Sequence, residues 1–359
     1  MSPTLTPSSV TELRDAILAS ARVSIEGART KPALIASAGS SIGLRQLSGI
    51  TEYDPEEFTF TALAGTPLRE VIAALDSRNQ RLPFDPMLVE SGGTLGGAFA
   101  SGLSGPGRHR HGGIRDFILG IRFMDGEGRL LRLGGKVVKN AAGFDVPKFF
   151  VGSLGCFGAL VDLTFKVFPR PPAQLTLRFP TQHVEESVEL ITRLASSRWD
   201  CDALEIPTGA RHVLARLAGP NRALNLMASD MGRALKREFT VEDPSIWAAM
   251  AEFAWSPPGH ALAKVPLVPT SAVECAKVIG SLPTMQVHFS AACNVAFLSW
   301  ADPTIHAALQ TSLAQLGLEA MMLRGDPGGW CMGRRRVTQI EAAVKHAFDP
   351  LNRFPTLSR

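Results

Sequence analysis

The sequence predicts an α+β protein of two domains with a C-terminal segment of its own. Three observations carry this. At 359 residues the chain is longer than one core usually needs. Its first half alternates short strand-like runs with loops unusually rich in glycine. Beyond Pro172 the character changes to strands and helices of ordinary composition, an α+β layer. The expected boundaries are therefore 1–172, 173–335 and 336–359.

Ser8 or Ser9 suits the N-cap of an amphipathic helix near 11–21, with Leu13, Ile17 and Leu18 on one face. VSIEG (23–27) reads as a strand, and GARTKPAL (27–34) as the loop that ends it. FTFTALAG (58–65) alternates like a strand, and PLREVIAAL reads as a helix with Pro67 in its first turn. The stretch 91–113, SGGTLGGAFASGLSGPGRHRHGG, carries so many glycines that neither a packed helix nor an ordinary strand is expected there. Residues 114–135 read as two strands joined by an Asp125-Gly126 turn, and VDLTFKV as another alternating strand. In the second half LTLRF, MQVHF and VAFLSW read as strands; VEESVELITRLA, SAVECAKVIG and IHAALQTSLAQL read as helices. A last helix is expected near 337–348.

Composition excludes several classes. Apolar residues make up 45% of the chain and charged residues 19%, which is a folding composition. A net charge of +4, with no Lys/Arg block interleaved with aromatics, argues against nucleic acid as a partner. The 5 cysteines are scattered singly, which fits a reducing compartment and lacks the dense thiolate sets of iron–sulfur and zinc sites. The N-terminus does not read as a secretory signal, and no run of about 18 uncharged apolar residues suggests a membrane span. The expected location is the cytoplasm, with any membrane association running through partner subunits.

Glycine serves where the backbone takes φ > 0 or where something approaches the main chain closely. Several such loops in one domain suit a ligand held by backbone N–H groups, and those groups suit phosphate oxygens. Tight turns of a β-rich domain remain the alternative. The spacings Gly92-Gly93-Thr94-Leu95-Gly96-Gly97 and Gly152-x-x-Gly155-x-x-Gly158 are not a Rossmann fingerprint, and Gly135-Lys136-Val137 is not a Walker loop.

TEYDPEEF (51–58), AGTPL (64–68), LPFDP (82–86), GGTLGG (92–97), SGLSGP (101–106), IRDFILG (114–120), GGKVVKNAAGFD (134–145), GSLGCFGALVDLTFKV (152–167) and KHAFDPLNRFP (345–355) occur in one order. In that order they resemble the FAD-binding subunits of bacterial glycolate oxidase complexes, in the flavoprotein family with the vanillyl-alcohol-oxidase or PCMH type of FAD domain. The resemblance runs from Val23 to Pro172 and resumes at the C-terminus. It implies a two-subdomain FAD-binding domain followed by a smaller, ferredoxin-like α+β cap.

The resemblance also implies a site. FAD pyrophosphate would lie against two loops, Gly27-Ala28-Arg29-Thr30-Lys31 and Ser91-Gly92-Gly93-Thr94-Leu95-Gly96-Gly97. Ala28 and Arg29 stand where relatives show a richer glycine run. Ser101, Gly102, Ser104 and Gly105 would border the ring or ribityl chain, with Arg115 and Asp116 close by. Arg115-Asp116 could equally be a structural ion pair. Asn140, Gly143 and Asp145 would line the same cleft, and Gly155, Gly158, Ala159 and Val161 would present main chain to the dinucleotide. The first loop lacks the histidine through which some relatives attach FAD, so the cofactor is expected to be non-covalent; His109 and His111 read as solvated loop residues.

The implied activity is oxidation of a small 2-hydroxy acid such as glycolate, with electrons passing to an iron–sulfur subunit and a second FAD-containing subunit as partner. An alternative is a scaffold subunit of the same complex with weakened or lost FAD binding. The catalytic residues are not identified. His288, Arg324, Arg334, Arg335 and Arg336 are candidates, but a core histidine and a solvated arginine face explain them as well. The metal-binding pattern H-x-x-D-G-N-x-H of related caps is absent.

Overall fold

The computed structural model describes residues 4–35, 39–135, 146–209, 211–335 and 337–356. The chain divides into two units: Met1–Ser104 with Gly113–Arg170 and Arg336–Arg359, and Gly105–Gly112 with Pro171–Arg335.

In the first unit the strand Val23–Glu26 pairs in parallel with Ser40–Gly43. The helix Val10–Leu18, capped by the Ser9 hydroxyl, buries Leu13 and Ile17. A five-stranded antiparallel sheet runs in the order Ile50–Asp54, Thr59–Leu63, Ala159–Lys166, Ile118–Met124, Leu130–Gly134. Its middle strand reads as half-buried from its alternation, yet seven of its eight residues are buried. The polar ones are paired: Arg122 Nε donates to Asp162 at 2.6 Å, and the Thr61 and Thr164 hydroxyls meet at 2.9 Å. Phe60, Phe84, Phe99, Phe117 and Phe165 pack beside it as a phenylalanine cluster.

Two expectations change. The hairpin after Met124 turns over Asp125–Arg129 rather than in two residues, because the Asp125 carboxylate accepts the amides of Glu127 and Arg129, with Gly128 at φ 73°. The glycine-dense stretch also forms a helix, Leu95–Ser101, with the Thr94 side chain as N-cap and Gly102 ending it at φ 59°. Its glycines admit close packing: a Cβ on Gly96 would stand 2.8 Å from both Cβ and O of Ala64.

The C-terminal helix Gln339–Phe348 opens on a capping box between Thr338 and Glu341. Phe348 packs on Phe123 and Phe150. Beyond it Lys345 Nζ reaches Asp349 Oδ2 at 2.5 Å and the carbonyls of Cys156 and Phe354 at 2.9 and 2.8 Å. Asp349 also accepts the amides of Arg353 and Phe354 at 2.9 Å, and the Arg353 carbonyl accepts the Val23 amide at 2.8 Å.

The second unit holds a four-stranded antiparallel sheet, Ala203–Glu205, His212–Gly219, Ala173–Pro180, Thr240–Glu242, and a five-stranded one, Gln286–Ser290, Val295–Trp300, Ala261–Pro266, Glu319–Arg324, Cys331–Gly333. An Ile206–Phe289 bridge links them. Helices Val184–Ala195, Ala272–Val278 and His306–Gln315 stand where the sequence predicts them. All five cysteines are buried and none is in a disulfide. Burial pushes the thiols of Cys201, Cys275 and Cys293 up to about 12.

Removing one partner of a buried ion pair costs roughly 3 kcal/mol or more. Asp349→Ala is therefore expected to lower the melting transition of the first unit by roughly 6–12 °C, at about 2–4 °C per kcal/mol for a unit of this size; an unchanged calorimetric trace would show that the tail is not held by this pair. Because only thiolates react, Ellman's reagent at pH 8 should modify none of Cys201, Cys275 and Cys293 in the folded protein and all three in guanidinium.

Candidate functional site

The parallel strand Val23–Glu26 delivers its chain to Gly27, and the next four residues turn sharply. Arg29 sits at φ 56°, a left-handed conformation that glycine adopts freely and that costs another residue roughly 1–2 kcal/mol. Glu26, which is buried, accepts from Arg29 Nε at 2.5 Å and so offsets that cost. The loop therefore keeps a glycine-like turn without the glycine. Among the described residues, the amides of Ala28, Arg29, Thr30 and Lys31 donate to no main-chain acceptor. Lys31 is half-buried, with Nζ 3.3 Å from the Thr30 hydroxyl, and desolvation pushes its ammonium down to about 8.

The second loop behaves differently. Gly92 and Gly93 amides go to the carbonyls of Val89 and Leu88, Leu95 to Thr66, Gly96 to Ala64, and Gly97 to the Thr94 hydroxyl. A bare stretch of main chain offered to phosphate is thus found at 28–31 and not at 92–97. What the second loop contributes is room. A Cβ on Gly27 would lie 2.6 Å from Thr94 Oγ1, and one on Gly97 would lie 3.0 Å from Thr94 Oγ1 and 3.9 Å from Lys31 Nζ. The two loops face each other.

Between them lies a cleft open to solvent. Gly27 to Lys31 form one wall; Thr94, Gly96, Gly97 and Ser101 form the second; Gly155 and Gly158 belong to the third. The Ser101 hydroxyl is turned back to the Gly97 and Ala98 carbonyls. Apolar Leu34, Ile35, Leu44, Ala64, Ala100 and Leu154 complete the lining. Sequence reading missed these; the apolar pair 34–35 directly after the loop was the available signal.

Other expected site residues lie elsewhere. Ser91 and Gly92 are exposed, Gly93 and Leu95 are packed, and Gly102 ends the helix. Ser104 accepts the Ile114 amide at 2.9 Å, and Gly105 belongs to the second unit. Arg115 and Asp116 are exposed, and Asp116 accepts the Gly113 amide. Ala159 and Val161 are buried in the sheet, where the Val161 carbonyl accepts from Ala64. Asn140, Gly143 and Asp145, with Phe144, fall outside the described residues, as does Arg336.

In the second unit, His288 is a buried core residue. Its Nε2 lies 2.6 Å from Glu205 Oε2 and its ring stacks on Trp255 at 5.4 Å. Glu205 also takes the Ser290 hydroxyl and the Ala291 amide. Arg324 is turned onto Ser256 and the His260 carbonyl; Arg335 pairs with Glu319 over the Trp330 ring. His109 and His111 are not solvated loop residues. His111 Nε2 lies 2.9 Å from the buried Asp202, whose other oxygen holds Arg216. His109 is half-buried, and desolvation holds its imidazole below the ordinary value against the pull of Glu205, Asp202 and Asp200.

The cleft suits a dinucleotide diphosphate: free amides and a cation on one wall, apolar surface around them, and its one carboxylate, Glu26, engaged by Arg29. Among the described residues that line the cleft there is no histidine, cysteine or tyrosine.

Comparisons agree with this geometry. Residues 2–134 match the family described as FAD binding domain. Over 140 residues the chain is 47% identical to glycolate oxidase subunit GlcE of Escherichia coli K12, covering 39% of this chain and 40% of that one. It is 27% identical over 154 residues to glycolate oxidase subunit GlcD of Bacillus subtilis, covering 43% of this chain and 33% of that one. It is 28% identical over 186 residues to a D-lactate dehydrogenase of Anaerostipes hadrus, covering 51% of this chain and 39% of that one. Each alignment therefore spans well under half of the relative's length. A solved alkyldihydroxyacetonephosphate synthase shares the fold with a TM-score of 0.66 at 15% identity, covering 97% of this chain and 75% of that one. Residues 2–134 of this chain thus match the FAD binding domain family, and the chain's likeness to a glycolate oxidase subunit stands on both motif order and alignment.

Proposed function

We propose that this chain is the FAD-binding subunit of a glycolate oxidase, a 2-hydroxy acid dehydrogenase complex, working with a second FAD-containing subunit and an iron–sulfur subunit. The observation that carries the reading is the cleft with open amides at 28–31 inside a domain that matches FAD-binding proteins. When bound, FAD supplies the two-electron acceptor that hydroxy acid oxidation needs. The protein's part is to hold it. The amides of 28–31 and Lys31 bind the diphosphate, Gly27 and Gly97 leave the space, and Leu34, Ile35 and Leu44 keep water from the buried portion. On this reading any membrane attachment runs through partner subunits; among the described residues no helix is long and apolar enough to cross a bilayer.

A second reading has a specific observation behind it. The amides of Gly92, Gly93, Leu95, Gly96 and Gly97 are all engaged inside the protein, which suits a scaffold subunit that binds FAD weakly or has lost it. The flavin absorbance bands of the purified protein separate the two readings.

Two outcomes are expected from the main reading. Acid precipitation should release the flavin to the supernatant, and a yellow pellet would mean a covalent bond. The chain assembled with its two partner subunits should reduce an artificial dye with glycolate, and a complex lacking only this chain should lose that activity; unchanged dye reduction without it would point to the scaffold reading.

A further inference from the structure

The first loop carries Ala28 and Arg29 yet keeps the shape of a glycine turn, with Arg29 left-handed and tied to Glu26. It has also placed one cation in the cleft whose charge is not spent on a carboxylate. Lys31 Nζ has the Thr30 hydroxyl at 3.3 Å and would stand 3.9 Å from a Cβ on Gly97, so it lies where the two loops face. Arg29, the other cation of the lining, is engaged by Glu26.

We propose, resting on the FAD reading above, that Lys31 is the counter-charge to the diphosphate of FAD and that loading of the dinucleotide is therefore linked to uptake of a proton by Lys31.

Among the described residues the titratable groups on the cleft wall are Glu26, Arg29 and Lys31, all from the strand and loop 25–31. The helix Leu95–Ser101 and the segments at Leu44, Ala64 and 154–160 bring only apolar side chains, glycines and hydroxyls to the lining. Among the described residues nothing facing Lys31 thus supplies a free negative charge, and burial leaves its amine near half-protonated at pH 8. A diphosphate supplies that charge. Binding favours the ammonium, so the ligand binds most tightly below pH 8, where Lys31 already carries its proton. Above pH 8 each ligand must bring a proton with it, and affinity falls by up to tenfold per pH unit.

The test titrates FAD into the flavin-free full-length chain by fluorescence, and by calorimetry in two buffers of different ionisation heat. Wild type is expected to bind about tenfold more weakly at pH 9 than at pH 7, taking up close to one proton at pH 9 and almost none at pH 6.5. Lys31→Gln should bind roughly tenfold to hundredfold more weakly at pH 7, the scale of one charge-assisted hydrogen bond, with a flat pH profile and no proton uptake. Lys31→Arg, whose guanidinium does not titrate, should bind near wild-type strength at pH 7 and lose the slope. ADP, which carries the diphosphate without the flavin ring, should compete with the same pH dependence. If Lys31→Gln keeps wild-type affinity and slope, the assignment is overturned while FAD binding stands. If wild type binds neither FAD nor ADP, the cofactor reading falls with it.

Discussion

The buried pair between Lys345 and Asp349 is the interaction on which the geometry of the first unit rests. A lysine ammonium needs acceptors for three protons and a carboxylate needs donors for its lone pairs, and both sets are met by the chain itself. Lys345 spends its remaining donors on carbonyls of Cys156 and of the tail, which joins the C-terminal helix to the segment forming the third wall of the cleft. Asp349 gathers the amides of Arg353 and Phe354, and the Arg353 carbonyl then holds Val23. The strand so positioned ends at Glu26, next to Gly27. The cleft is held from behind by residues more than three hundred positions away in the chain.

The position of Gly126 shows how closely this knot is packed. A Cβ there would come within 2.2 Å of Asp349 Oδ1, and the Gly126 amide donates to the Phe348 carbonyl. This glycine is required by approach rather than by a turn. The same holds for Gly96 against Ala64, and it explains why glycine density was a poor guide to the second loop. Helix propensity disfavours LGGAFAS, but the close contact with the neighbouring strand and the Thr94 cap outweigh it.

What was legible followed from local periodicity and from motif order. The alternating runs at 58–65 and 161–167 fall on strands, the amphipathic segments at 184–195 and 305–316 fall on helices, and residues of the two glycine loops line one cleft. What was not legible depends on partners distant in sequence. His109 and His111 read as solvated from their place in a glycine-rich loop; the acids that face them, Asp200, Asp202 and Glu205, come from about ninety residues further on. Lys31 could be placed in the loop, but its desolvation depends on walls contributed by residues 94–101 and 154–160. His288 could be read either way, and only the Glu205 contact and the Trp255 stack decide for a core role.

The knot at Lys345–Asp349 also sets an order of events during biosynthesis. The loop at 27–31 precedes the second unit along the chain, whereas the clamp behind its strand follows that unit. A nascent chain therefore carries an unfinished cradle through most of its translation.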